Sequence, residues 1–432
     1  MLSRRSIQKL RERHIAPSFS TSYDNPIQIV SGKGQYLYDS EGNEYLDAVN
    51  NIQHIGHSHP KVADAIKKQS KKLNVNTRYL DELRVRYAKD LTQKLPKGLD
   101  VCYFTNSGSE SNDLALRITR TLTKNKETIV LGDAYHGHTS ALIEISPYKF
   151  NGLGGSGCPD FVYVLSRPDP YRGKYIGRDC YKGYIKDLDK ILSILRQKKS
   201  GGATFIVESI MGCGGQIVFP SGFLSSAFKL IKKYGGICIA DEVQIGFGRM
   251  GTHYWGFETE DVIPDIITIG KSMGNGHPLS AVVTTREIAD KFNNGMEYFN
   301  SFGGNPVSCA VGRAVLKVID EEKLQENAHK VGSYLIRLLE DLKKNHPIIG
   351  DVRGRGLFIG VELVREHSIK VPADIESKKL INRMKEKGIL LSIDGPFNNV
   401  IKIKPPLVFN KENAKFLVNK LGETLEDIKE QV

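Results

Sequence analysis

No run in this chain comes near twenty consecutive apolar residues, so nothing in it reads as a membrane-spanning helix. The N-terminus, MLSRRSIQKLRERHIAPSF, is basic but has no apolar core and does not read as a secretory signal. It reads as a short amphipathic arm, and a mitochondrial presequence is the other meaning of the same pattern. The cysteines, Cys102, Cys158, Cys180, Cys213, Cys238 and Cys309, are scattered, with neither a CxxC pair nor zinc-ligand spacing. That usage points to reduced thiols in a cytoplasmic protein, with the mitochondrion left open. His54, His57 and His59 crowd together in HIGHSHP, yet no nearby Cys or acid completes a ligand set, so no metal is expected. GLGGSG (Gly152 to Gly157) fits GxGxxG on paper. No clear strand precedes it and Cys158-Pro159 comes after it, so it lacks the strand-before, helix-after context of a dinucleotide site and reads as a loop. There is no internal repeat and no low-complexity tract.

The net charge of +12 raises the question of nucleic acid. The lysines, however, are spread over helix-like segments such as AIKKQSKKL, SILRQKKS and MKEKG, without interleaved aromatics. Solvated helix faces account for them, and no nucleic-acid partner is expected. The same field would draw an anionic small substrate.

What is present is an ordinary globular composition, 40% apolar and 25% charged over 432 residues. That length allows two or three domains, or one large domain with an appendage. GQYLYDSEGNEYLDAV reads as two short strands around a Ser-Glu-Gly-Asn turn. Strand-like runs then alternate with helical patterns: VCYFT, ETIVL, FVYVL, ATFIVES, GICIAD and DIITIG, with SESNDLALRITRTLT and FLSSAFKLIKKYG among the helices. Such alternation predicts an α/β fold with a mostly parallel sheet. A long helical stretch from Pro306 comes next, then DVRGRGLFIGVELV, a further helix, VIKIKPPLVF and a closing helix. The expected organisation is an N-terminal arm and β-rich segment over 1–59, a large domain over 60–308 and a smaller α+β domain over 309–432.

Ligands of open α/β sheets bind beyond the C-terminal ends of the parallel strands, so the residues just after each strand carry the functional reading. After VCYFT come Ser107, Gly108 and Ser109, entering a helix whose first amides make a cup for a phosphate, or merely a capped helix start. After ETIVL come Tyr135 and His136, suited to a flat ring or simply half-buried. Glu208 comes at the end of the next strand. Asp241 and Glu242 end GICIA, with Val243 and Gln244 behind them, and Lys271 comes after DIITIG. Each alone is better read as a cap or salt bridge. Together they require one ligand that is flat, phosphorylated, basic at a ring atom and reactive with an amine, which describes pyridoxal 5'-phosphate.

Over nearly its whole length the sequence resembles the class III, fold type I, pyridoxal-phosphate-dependent aminotransferases. The resemblance is carried by LDAVNNIQHIGHSHP, TNSGSESNDLALRITR, AYHGH, VESIMGCGGQ, ADEVQIGFGRMG, PDIITIGKSMGNGHP, FGGNPVSCAVG, VRGRGLFIGVEL and IKIKPPLVF, in that order. It implies that Lys271 binds the cofactor covalently and later moves a proton. It implies that Asp241 pairs with the pyridinium nitrogen, Gln244 with the ring hydroxyl, and that Val243 and Tyr135 cover the two ring faces. His136 is then close by, Gly108 and Ser109 hold the phosphate, and Glu208 supports the site. A hydroxyl before FGGNP, here Ser301, reaches the phosphate of the neighbouring subunit, which implies a homodimer or a dimer of dimers. Strand alternation turns Glu242 away from Asp241, toward a structural partner such as Arg249.

The resemblance leaves the reaction open between amino transfer and elimination of phosphate. Many relatives that handle α-amino acids carry an arginine in an RxxPPL stretch, where this chain has Lys402 and, two residues on, Lys404. A lysine is a point charge and not a carboxylate fork, which suits a phosphate better. PDPYRGKY, NTRYL and GPFNNVIKIKPP look similar to the phospho-lyase branch acting on ethanolamine phosphate or 5-phosphohydroxylysine. Arg78, Arg172, Lys174 and Lys402 are the basic candidates for a substrate anion, each with a plain salt bridge as its other meaning. The expected activity is a phospho-lyase, and the alternative is an aminotransferase using pyruvate, glyoxylate or 2-oxoglutarate.

Overall fold

The computed structural model describes residues 2–198 and 202–429, so the end of the SILRQKKS segment, 199–200, and the residue after it lie outside the described residues. An exposed helix, Arg4–His14, opens the chain. It leads into a meander of β1 (Ile29–Lys33), β2 (Tyr36–Asp39) and β3 (Glu44–Asp47). Asp39 builds the β2–β3 turn by accepting the amides of Glu41 and Asn43, each at 2.9 Å.

The large sheet contains β4 (Val101–Thr105), β5 (Thr128–Leu131), β6 (Val162–Leu165), β7 (Thr204–Glu208), β8 (Ile237–Asp241), β9 (Ile266–Ile269) and β10 (Ser280–Thr284). Its spatial order is β4-β10-β9-β8-β7-β5-β6. The pairs among β5, β6, β7, β8 and β9 are parallel, and β10 runs antiparallel to both β4 and β9. The central strands are buried along their whole length, as helices on both faces require. The ends of β4, β5, β7, β8 and β9 therefore face one edge of the sheet, the edge at which the sequence places a ligand. The strand β10 is absent from the sequence reading. SAVVTT comes after the glycine-rich SMGNGHP loop with no helix between, so the strand–helix rhythm offers it no place.

The long helical stretch divides into Pro306–Glu321 and Leu324–Asn345, broken where Lys323 takes a φ of +50°. DVRGRGLFIGVELV is a hairpin of β11 (Ile349–Arg355) and β12 (Phe358–Glu366). Short β13 (Val371–Pro372) pairs with β12. Beyond it lie β14 (Ile389–Leu390), β15 (Ser392–Asp394) and β16 (Val400–Ile403), and the helix Lys411–Lys429 closes the chain. Strand β14 pairs in parallel with β3, so the C-terminal part extends the N-terminal sheet. One apolar cluster runs from Leu46 through Phe205 and Trp255 to Leu335, Ile401 and Leu421, joining all three segments. Among the described residues no helix is long and apolar enough to cross a membrane.

Candidate active site

At the end of β8 two adjacent acids turn opposite ways. Asp241 is buried, and its Oδ2 accepts a hydrogen bond from Asn112 Nδ2 at 2.8 Å and lies 2.9 Å from His136 Nδ1. Its Oδ1 accepts the Val243 amide at 3.2 Å. Glu242 instead accepts the Ser209 hydroxyl and the amides of Gly256 (2.8 Å) and Phe257 (3.0 Å), at the start of the 3-10 helix Gly256–Glu260. The expected pairing of Glu242 with Arg249 is thus corrected. The unsatisfied amides of a helix start are ready donors for a carboxylate. Arg249 is buried elsewhere, donating to the carbonyls of Leu357 (3.0 Å) and Pro405 (2.7 Å), with Nη2 3.1 Å from His54 Nδ1. Burial pushes the Glu242 carboxyl up to about 7.

Glu208, at the end of β7, accepts the amides of Tyr135 (3.2 Å) and Gly212 (2.8 Å). Burial raises its pKa, opposed by His136 and reinforced by the charge of Asp241. Lys271 comes just after β9 and opens the short 3-10 helix Lys271–Met273 with a φ of +38°. A left-handed backbone at a lysine is uncommon and marks a position held by its surroundings. Burial pushes its ammonium down, while the acidic groups Cys213, Asp241 and Glu208 resist and Lys402 assists.

The helix Gly108–Thr123 begins at the end of β4, and its Ser107 cap accepts the Glu110 amide at 3.1 Å. The amides of Gly108 and Ser109 are the first two of that helix and have no carbonyl within it to serve them. The side chain of Ser109 accepts the His138 amide at 3.2 Å. A Cβ on Gly108 would stand 2.7 Å from Val243 Cγ1, so the helix start rests directly on the segment after β8. Asn112, one turn further along, is the side chain that reaches Asp241. The half-buried Tyr135 packs edge-on to Tyr148, with ring centroids 6.1 Å apart. His136 is buried, and its Nε2 has no hydrogen-bond partner among the described residues. The Oε1 of Gln244 accepts from Asn51 Nδ2 at 3.2 Å and from Lys404 Nζ at 3.3 Å.

The four candidate substrate cations separate. Lys402 Nζ lies 3.0 Å from Asp394, and its positive charge is felt at Lys271. Arg172 is tied to Glu362, which also holds Arg353 at 2.8 Å, so it belongs to an ion cluster. Lys174, itself exposed, pairs with the less exposed Asp187 at 2.6 Å, the plain salt bridge that is its other meaning. Arg78 forms an exposed pair with Glu297 at 3.2 Å and stands 4.4 Å from the ring centroid of Phe299. Ser301 is exposed, two residues beyond Phe299 in the chain. His54, His57 and His59 go to separate protein partners: Phe247 O, Asp47 and Glu322.

The site residues that the sequence reading misses are Asn112, Cys213, Asp394 and Tyr148, and Lys404 proves more engaged than its place in IKIKPP implies. Helical spacing from Gly108 would have found Asn112. Strand alternation puts Lys404 on the face of Lys402, and both meet Asp394. Cys213 and Tyr148 carry no local signal.

The donor set fits the cofactor: a fixed acid for a ring cation, free helix-start amides for a phosphate, and a desolvated amine. This sheet with this strand-end site defines a fold type I pyridoxal-phosphate-dependent enzyme. More narrowly, the chain belongs to the class III aminotransferase family, whose model, described as aminotransferase class-III, matches residues 18–425. It is 48% identical over 421 residues to a Drosophila melanogaster protein named alanine–glyoxylate aminotransferase 2-like, covering 96% of this chain and 85% of that one. It is 41% identical over 438 residues to ethanolamine-phosphate phospho-lyase homolog 1 of Caenorhabditis elegans, covering 98% and 94%. Among solved structures it resembles a phospholyase from Arthrobacter in complex with phosphoethanolamine, with a TM-score of 0.93, 38% identity, and 97% and 99% of the two chains covered.

Proposed function

We propose that this enzyme is a phospho-lyase acting on a phosphorylated primary amine such as ethanolamine phosphate or 5-phosphohydroxylysine. One water is consumed, phosphate and ammonia are released, and an aldehyde remains. The observation that carries this reading is the charge of the wall beside Lys271. Lys402 and Lys404 share one carboxylate, Asp394, so one positive charge is left over. Lys402 is the open member, 23% exposed against 2% for Lys404. An ammonium suits a phosphate, whereas a planar carboxylate favours a guanidinium fork. The likeness to the two phospho-lyases supports the same reading.

Bound pyridoxal phosphate supplies an electron sink for the carbon that bears the amine. In this proposal the chain does the remainder. Lys271 Nζ, held toward its neutral form by burial, anchors the cofactor and then takes the proton from that carbon. Asp241, fixed by Asn112 and His136, keeps a proton on the ring nitrogen. The amides of Gly108 and Ser109, behind the Ser107 cap, hold the cofactor phosphate. Val243 and Tyr135 bound the ring, Gln244 donates to the ring hydroxyl, and Glu208 fixes the Tyr135 backbone. Ser301 serves the neighbouring subunit of a homodimer. Lys402 draws the substrate phosphate and steadies it as it leaves.

An aminotransferase passing the amino group to pyruvate, glyoxylate or 2-oxoglutarate is the second reading, favoured by the 48% identity to the Drosophila melanogaster protein. One assay separates them. The holoenzyme is given phosphoethanolamine or 5-phosphohydroxylysine without any keto acid, and inorganic phosphate is measured. Release of phosphate is the expected result. No phosphate from either, with amino transfer once a keto acid is added, selects the second reading.

A further inference from the structure

Lys404 is a buried ammonium with more to satisfy than one carboxylate offers. Its Nζ stands 3.3 Å from Asp394 Oδ2, 3.3 Å from Gln244 Oε1 and 4.4 Å from the ring centroid of Phe358. Asp394 is already shared, since Oδ1 accepts from Lys402 at 3.0 Å and Oδ2 from Gln216 Nε2 at 2.7 Å. Cys213 and Glu208 also act on the ammonium, and its remaining hydrogen-bond partner is Gln244. An amide oxygen that accepts two donors, here Lys404 and Asn51, fixes which end of the amide faces which way. With Oε1 committed, Nε2 is the end left to donate. Gly212 borders that nitrogen, where a Cβ would stand 2.5 Å from it.

We propose that Lys404 is a positioning residue for the cofactor: it locks Gln244 with its donor end toward the ring hydroxyl, and its charge favours loss of the proton shared between the bound cofactor and Lys271. This rests on the reading of Gln244 as the partner of the ring hydroxyl. The titratable groups facing Lys404 are Asp394, Lys402, Cys213 and Glu208. Those facing Lys271 are Cys213, Asp241, Glu208 and Lys402. Burial, opposed by Asp394 and aided by Lys402, brings Lys404 down to about 8, so its charge is present at neutral pH and fades above it. A cation beside a group that sheds a proton favours the less positive form, so removing the cation must raise the pH at which the proton leaves.

The test is a pH titration of the visible band of the holoenzyme, which reads the cofactor's protonation and not turnover. Lys404→Met and Lys404→Gln should each raise the midpoint by about one pH unit, and Lys404→Arg should restore it. The glutamine variant keeps a donor for Gln244, so it carries the test if the methionine variant fails to hold cofactor. A midpoint at the wild-type value in the neutral variants overturns the proposal, because a merely structural lysine would alter melting or cofactor retention alone. Gln244→Ala separates the proposal from the reading beneath it. If Gln244→Ala moves the midpoint and the Lys404 variants do not, only the role of Lys404 fails. If Gln244→Ala leaves it unmoved, the reading of Gln244 fails and the route through it falls as well.

Discussion

Asp241 and Glu242 are chemically alike and adjacent, and their surroundings give them different work. Asp241 receives the side chains of Asn112 and His136 at the ligand edge, whereas Glu242 receives a hydroxyl and two amides behind it. The Glu242 carboxyl stands at about 7 in the fold against an ordinary value of 4.5, with burial as the main cause. The folded protein thus holds this proton up to about pH 7, and the unfolded chain only to about 4.5. Stability from that proton is complete below 4.5 and is lost as pH rises through about 7. Glu242→Gln removes the dependence and leaves one of the three donors poorly served, a cost of about 1–3 kcal/mol at pH 5. That cost should shrink by pH 8, where only the wild type must bury a charge. Melting temperatures of the two holoenzymes at pH 5 and pH 8 decide it, and an equal gap at both would contradict the assignment.

At the scale of elements, the site depends on how closely the start of the Gly108–Thr123 helix meets the end of β8. Gly108 touches Val243 where a side chain would otherwise stand. Gly108→Ala must push the two apart, and overpacking of this kind costs about 1–3 kcal/mol. The expected result is cofactor affinity lowered about tenfold or more, read by titrating the apoenzyme with pyridoxal phosphate, with the melting temperature of the apo form lowered as well. Unaltered affinity would mean that the cup does not need this contact. The strands that place the site are legible in the sequence because buried parallel strands are continuous apolar runs. Their ends are legible too, since β7, β8 and β9 run out into acids or a lysine that a core has no use for. The strand β10 is not legible, since nothing local tells SAVVTT to turn back between β4 and β9. The partner of Glu242 escapes for a related reason. Alternation says which way an acid points, but the amides that it finds come from a helix fourteen residues further on. Cys213 and Asp394 meet Lys404 only through tertiary packing, which no spacing rule reports.

The molecule as a whole presents a face that a single chain does not explain. Tyr79, Leu80, Val85, Met296, Phe299 and Phe302 are all exposed. Arg78 ties the two segments together through Glu297 and the Phe299 ring, so these side chains belong to one region. An apolar region of this kind marks an interface more often than a free surface. Ser301 lies within it, exposed, and contributes nothing visible to the site of its own chain. On the proposed homodimer, Ser301 serves the other subunit, and hybrid dimers test this directly. Ser301→Glu sets a negative charge against the cofactor phosphate and should weaken cofactor binding, while Lys271→Ala cannot form the covalent link at all. In a dimer of one chain of each kind, the chain that keeps Lys271 receives an intact Ser301 from its partner. Half of its sites should then bind cofactor with wild-type affinity and yield a borohydride-fixed adduct. If Ser301 served its own chain, that same hybrid would hold no intact site, and mixing the two variants would recover nothing.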